Sequence, residues 1–235
     1  MPHQSPGTRI LLSLAWSAFL FLAFVIAGGW ILLVANGYVV NWQTGSVTQT
    51  SAIVLAGQPS AASVTLDGLT VSPTLPITLR NVTIGSHIVQ VTATDYQSWR
   101  LSTQTTAGQA IIRDQIELFL QKPVEVTPAP AAPENALLID PTLAVNNTEL
   151  YQIGNGNQQL ITRFSAPILA AVRSNDRAHV FVQLGNAIYV TELTGENTTK
   201  LLDLPDASPV KLVPQSNDQQ LVVLTGNTTH LWQIR

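Results

Sequence analysis

Residues 167–204 read PILAAVRSNDRAHVFVQLGNAIYVTELTGENTTKLLDL. Turn residues cut this stretch into four strand-length pieces. Pro167 to Val172 leads in and stops at Ser174-Asn175-Asp176. His179 to Leu184 is a largely apolar run that ends at Gly185-Asn186. Ile188 to Leu193 alternates apolar with polar, Gly195 marks the next turn, and Lys200 to Leu204 forms an outer strand. Alternation and a short apolar run bounded by turn residues are β signals, not helical ones.

The pattern repeats downstream. Ser174-Asn-Asp176 returns as Ser216-Asn-Asp218, and Ala166-Pro167-Ile168 is answered by Ser208-Pro209-Val210, both at an offset of 42 positions. Gly185 to Leu193 pairs with Gly226 to Ile234 at 41, one residue less, as a shortened turn would give. Upstream, Asn147 to Ile153 is a third copy of the same strand. A four-strand unit recurring every ~40–45 residues is the signature of a propeller blade. Residues 136–235 therefore look like part of a β-propeller of about two to three blades, without a His/Trp-Asp signature of the WD type. The alternative is a stack of hairpins without propeller curvature. Counted from Leu137, there is most of one blade, one complete blade (Pro167 to Leu204) and three strands of the next. Propellers close with about four to eight blades, so open faces and unpaired edges are expected. Leu169, Val180, Val182, Val222 and Leu224 should then be only partly covered. Continuation past Arg235, assembly of several copies, or an open β-stack would each answer that problem.

Working back, residues 121–135 (QKPVEVTPAPAAPEN) carry Pro123, Pro128, Pro130 and Pro133. Proline at this density removes donors and favours extended polyproline II, so a semi-rigid linker and a domain boundary are expected here. Residues 51–120 again read as short strands: Ser51 to Ala56, Ala62 to Leu66 ending at Asp67-Gly68, Pro76 to Leu79, His87 to Thr94, Tyr96 to Thr103 and Ala110 to Leu120. Val89, Val91 and Ala93 share one face of their strand, and Ile112, Ile116, Leu118 and Leu120 share one face of theirs. Val64, Leu66, Val89, Val91 and Trp99 should be buried together. About six or seven strands in about 70 residues suggest a small antiparallel β-sandwich.

These residues resemble the PEGA domain, a small extracytoplasmic β module named for a Pro-Glu-Gly-Ala tetrapeptide. The matching positions are Pro59-Ser-Ala-Ala62, Val64-Thr-Leu-Asp-Gly68, Leu79-x-x-Val82-x-x-Gly85-x-His87-x-Val89-x-Val91, Tyr96 and Trp99. Gly37-Tyr38 and Asn41-Trp42-Gln-Thr-Gly45 look like the spacer that joins a membrane helix to such a domain in bacterial envelope proteins. The resemblance covers roughly residues 8–122. Three positions depart from it: the tetrapeptide's Gly is Ala61, the usual Thr-Pro pair is split as Thr74-Leu75-Pro76, and the Gly before the Tyr is Asp95. A lost Gly matters where the backbone needs φ > 0. The resemblance implies a surface-associated module without established catalytic residues.

Residues 36–50 form an uncharged spacer, and residues 10–35 (ILLSLAWSAFLFLAFVIAGGWILLVA) are an uncharged apolar run. At ~1.5 Å per residue the run reaches about 39 Å, enough to cross a bilayer with some tilt. No Asp, Glu, Lys or Arg occurs between Arg9 and Asp67. A cleaved signal peptide typically has an apolar core of ~7–15 residues, which this run well exceeds, although Val25-Ile26-Ala27 and Leu33-Val34-Ala35 are passable cleavage sites. Tyr38 and Trp42 fall where interfacial aromatics belong. An uncleaved transmembrane helix is the reading, with residues 1–9 as a cytoplasmic stub. Arg9 and the amino terminus place the bulk of the chain outside the cytoplasm by the positive-inside rule.

Charged residues make up 11% of the chain and the net charge is −3, which argues against a nucleic-acid partner. None of His3, His87, His179 and His230 has a second ligand at metal spacing, and Asp67, Asp95 and Asp114 form no convincing carboxylate pair. Neither a Gly-x-Ser-x-Gly elbow nor a phosphate loop is present. No catalytic, cofactor-binding or metal-ligating residue is assigned, and no enzyme activity is expected. The expectation is a single-pass membrane protein that presents β domains to cell-wall or surface polysaccharide, or to an envelope protein. The alternative is an extracytoplasmic sensor or scaffold subunit acting through a membrane partner, since the stub leaves no output domain.

Overall fold

The computed structural model describes residues 6–41, 45–154 and 157–235. The protein is mainly β with one N-terminal helix among those residues, α1 (Pro6–Ala35). Its segment Leu14–Ala35 is long and apolar enough to span a membrane, and none of it is buried in the protein. Polar capping ends the helix. The backbone and side-chain amides of Asn36 both donate to the Leu32 carbonyl, at 3.1 and 2.8 Å, and the Gly37 N–H donates to Val34 at 3.1 Å. Gly37 has φ +74, the left-handed geometry of a helix C-cap.

The expected spacer is a hairpin. β1 (Tyr38–Asn41) and β2 (Ser46–Gln49) pair antiparallel from Tyr38↔Gln49 to Asn41↔Ser46. Trp42 and its two successors lie outside the described residues, as do His3 and residues 1–5 of the stub. Thr50 closes the hairpin back on the helix end: its N–H and Oγ1 donate to the Gly37 carbonyl at 2.9 and 3.0 Å. Its own carbonyl accepts from Gly108 N–H at 3.0 Å.

Seven strands follow: β3 (Ser51–Gln58), β4 (Ser63–Leu66), β5 (Leu69–Ser72), β6 (Ile77–Val82), β7 (Gly85–Thr92), β8 (Trp99–Thr105) and β9 (Ala110–Glu117). They make two sheets, in the orders β6-β3-β9 and β5-β4-β7-β8. Val64 faces Val91 across β4 and β7, and Leu66 faces Val89. Val64, Val89, Val91 and Trp99 are buried as the alternation requires, whereas Leu66 is half-buried. Ile116 and Leu118 are buried, but Ile112 is 57% exposed, so the face expected for this strand does not run its whole length. Gly57 is required by close approach: a Cβ there would sit 1.9 Å from the Ile116 carbonyl oxygen.

Eleven further strands are β10 (Val124–Val126), β11 (Leu143–Asn146), β12 (Glu149–Gly154), β13 (Asn157–Arg163), β14 (Ile168–Arg173), β15 (His179–Leu184), β16 (Ala187–Glu192), β17 (Thr199–Asp203), β18 (Lys211–Gln215), β19 (Gln220–Thr225) and β20 (Thr228–Gln233). They form three open sheets, β11-β12-β13, β14-β15-β16-β17 and β18-β19-β20-β10. The first strands lie side by side, β11 against β14 and β14 against β18. Strand alternation on β15 sends Val180 and Val182 into one apolar cluster with Leu143, Leu150 and Ile161, and Phe181 into another with Leu212, Leu221 and Val223. The middle sheet thus buries both faces.

The proline-rich segment does more than space domains. Val124–Val126 pairs with β20, from Val124↔Gln233 to Val126↔Leu231, and supplies the fourth strand of the last sheet. Val126, Ala129 and Ala136 then pack on Val213, Val222 and Leu231, covering that sheet's outer face. Val222 is accordingly 0% exposed, and Val180 and Val182 are 0% exposed in the cluster they share with Leu143, Leu150 and Ile161, contrary to the partial cover expected of an open fragment; Leu169 and Leu224 are half-buried as expected. Just beyond, the Leu137 carbonyl accepts from Leu212 N–H at 2.9 Å, and Leu138 O accepts from Ala171 N–H at 2.8 Å. Residues 137–140 thus occupy backbone groups on the first strands of two sheets.

By their contacts, the residues divide into two compact units. One comprises the chain up to Leu55 with Ile77–His87 and Ser102–Arg113; the other comprises Ala56–Pro76, Ile88–Leu101 and Asp114–Arg235.

Candidate functional site

The repeated Ser-Asn-Asp turns meet in the second unit and form its main polar cluster. Asp218, 0% exposed, accepts from the backbone N–H groups of Asn175 and Asp176, both at 2.8 Å. Asp176 in turn accepts from Ala178 N–H at 2.7 Å, bonds the Ser174 hydroxyl, and lies 3.2 Å from His179 Nδ1. One repeat therefore holds the turn of the other. The turn that supplies Asp218 is itself costly to build, because Ser216, Asn217 and Asp218 all have φ between +51 and +63.

Arg235 extends the cluster. Its guanidinium sits between Glu117 (3.2 Å) and Asp176 (3.1 Å) and lies 4.6 Å from the centre of the Phe119 ring. Its Nε is buried and makes no hydrogen bond within the described residues. Phe119 also meets His179 and Phe181 edge-on. Burial pushes the Glu117 carboxyl above its ordinary range, with Arg235 pulling the other way. Burial also pushes Asp176 up, but the hydrogen bonds from His179, Ser174 and Ala178 outweigh it and hold this carboxyl well below the usual range.

Beside this network Trp99 Nε1 donates to Glu192, Asn197 Nδ2 donates to the same carboxylate at 3.0 Å, and Gln97 donates to the Lys200 carbonyl at 2.6 Å. Trp99, Glu117, Phe119, His179 and Glu192 line a cavity of ≈ 20 Å³. That is room for about one water molecule, and small-molecule sites typically need ~300 Å³ or more.

The histidines considered in the sequence have separate surroundings where they are described. His87 Nε2 lies 2.8 Å from the Thr83 carbonyl, His230 pairs with Glu125 at 2.6 Å, and His3 is outside the described residues. Among the described residues no group of three or more His, Asp or Glu is placed to hold a metal ion. Asp67 Oδ1 accepts from Ile88 N–H at 2.9 Å in its turn, Asp95 takes φ +66, and Asp114 is exposed. Sequence reasoning found the Ser-Asn-Asp repeat but missed Glu117, Glu192 and Arg235, whose partners are distant in the chain. No family model matches the chain, and no curated protein matches it.

Proposed function

We propose that the protein is a single-pass, membrane-anchored extracytoplasmic protein without catalytic machinery. Its β domains present a surface to a cell-wall or surface polysaccharide, or to an envelope protein. The observation that carries this reading is the bare apolar helix, which enters β structure directly through a capped end at Asn36-Gly37 and Thr50. A helix with no buried face in a chain of buried strands has a bilayer as its natural solvent. On this reading residues 51–120 are a PEGA-like module. The three open sheets are blades of a propeller-like stack, supported by the 42-position repeat and the adjacent first strands. Detergent-extracted protein is expected to be retained on purified peptidoglycan or surface glycan. Failure on every polymer, with co-purification of one membrane protein instead, would shift the reading to a sensor or scaffold subunit.

A further inference from the structure

In the first unit a cleft of ≈ 280 Å³ opens where α1 ends. Val34, Ala35 and Gly37 form one wall, and Thr50, Arg80, Asn81 and Gln109 bring polar groups to it. A bulge shapes the polar wall. Ser51 pairs with Val82 and Ile53 with Leu79, so Arg80 and Asn81 together oppose Ala52. Neighbours on a regular strand point to opposite faces; here the bulge, with Asn81 at φ +57, lets both line the same cleft.

Arg80 is exposed and makes no ion pair or hydrogen bond within the described residues. The charge of this unit is one-sided. All 14 Asp and Glu residues belong to the second unit, while the first holds Arg9, Arg80, Arg113 and no acid. The negative end of the helix is not a ready partner, because Asn36 and Gly37 already donate to the Leu32 and Val34 carbonyls.

We infer that this cleft binds the headgroup of an anionic phospholipid, with Arg80 on the phosphate and Asn81 and Gln109 offering hydrogen bonds around it. The inference rests on the anchor reading. With Leu14–Ala35 in the hydrocarbon, Val34 and Ala35 lie at its edge, and the cleft then falls in the headgroup layer. A guanidinium matches phosphate oxygens in a two-pronged geometry that an ammonium does not.

Native mass spectrometry of the full chain, extracted from vesicles of equal phosphatidylglycerol and phosphatidylcholine, tests this. Wild type is expected to retain the anionic lipid over the neutral one by about fivefold, the ratio one surface cation gives near charged lipid. Arg80→Gln should abolish the preference, Arg80→Lys should keep part of it, and Arg113→Gln should leave it unchanged. Excess glycerol 3-phosphate should not displace the lipid, whose chains hold it in the bilayer. No preference in wild type, no loss in Arg80→Gln, or an equal loss in Arg113→Gln would each overturn the cleft assignment. The same spectra give the intact mass. A retained helix with no lipid preference defeats this inference alone, whereas a mass lacking the helix defeats the anchor reading and this inference with it.

Discussion

Asp95 holds its backbone at φ +66. Asp tolerates this region better than most residues, and glycine adopts it without strain. Asp95→Gly should therefore leave stability unchanged or slightly higher, while Asp95→Val should cost about 1–2 kcal/mol, read from urea unfolding of the full chain in detergent. Ala61 does not have positive φ, so no such cost arises there. The Asp176 cluster carries a pH signature. Its carboxyl is lowered in the folded state, so its contribution is complete above its unfolded value near 3.8 and is lost as pH falls below that. Glu117 is raised, so its contribution is present below its unfolded value near 4.5 and lost as pH rises through the folded value. Asp176→Asn should cost about 1–3 kcal/mol at pH 7 and flatten the acid limb of the stability curve. Glu117→Gln should cost less at pH 7. Equal losses, or an unchanged acid limb in Asp176→Asn, would contradict this assignment.

At the scale of elements, the decisive contact is between the proline-rich segment and the last sheet. Val126→Asp places a charge against Val213, Val222 and Leu231 and should detach the fourth strand. Limited proteolysis should then cut within residues 121–135 far faster than in wild type; equal rates would mean the segment is only a spacer. Val91→Asp, at a position 0% exposed, should cost about 3 kcal/mol or more. A parental melting curve would show the β4–β7 register to be wrong. The strands from Ile168 to Gln233 were legible because their apolar and turn residues recur at fixed spacing. β10 was not, because its three residues sit among prolines that argue for an extended linker and pair with a strand more than 100 positions away, Glu125 opposite Trp232. Ile112 misled in the opposite direction: alternation names a common face but not whether that face is covered throughout the strand. The site was legible to the same degree. Ser-Asn-Asp announced itself by repetition, whereas Arg235–Asp176 and Trp99–Glu192 join residues 59 and 93 positions apart and leave no local pattern.

For the whole molecule, everything turns on α1. A bare helix of this length and apolarity is equally the form of a signal sequence before cleavage, and the two readings give different mature proteins. Retained, it holds the chain at a bilayer and places the Arg80 cleft among headgroups. Removed, it leaves a β protein with neither anchor nor cleft wall. N-terminal sequencing of the protein extracted from membranes separates them most directly. A start at or near residue 1 is expected, with the helix intact and the protein released by detergent but not by high salt. A mature start between about 28 and 40 would contradict it.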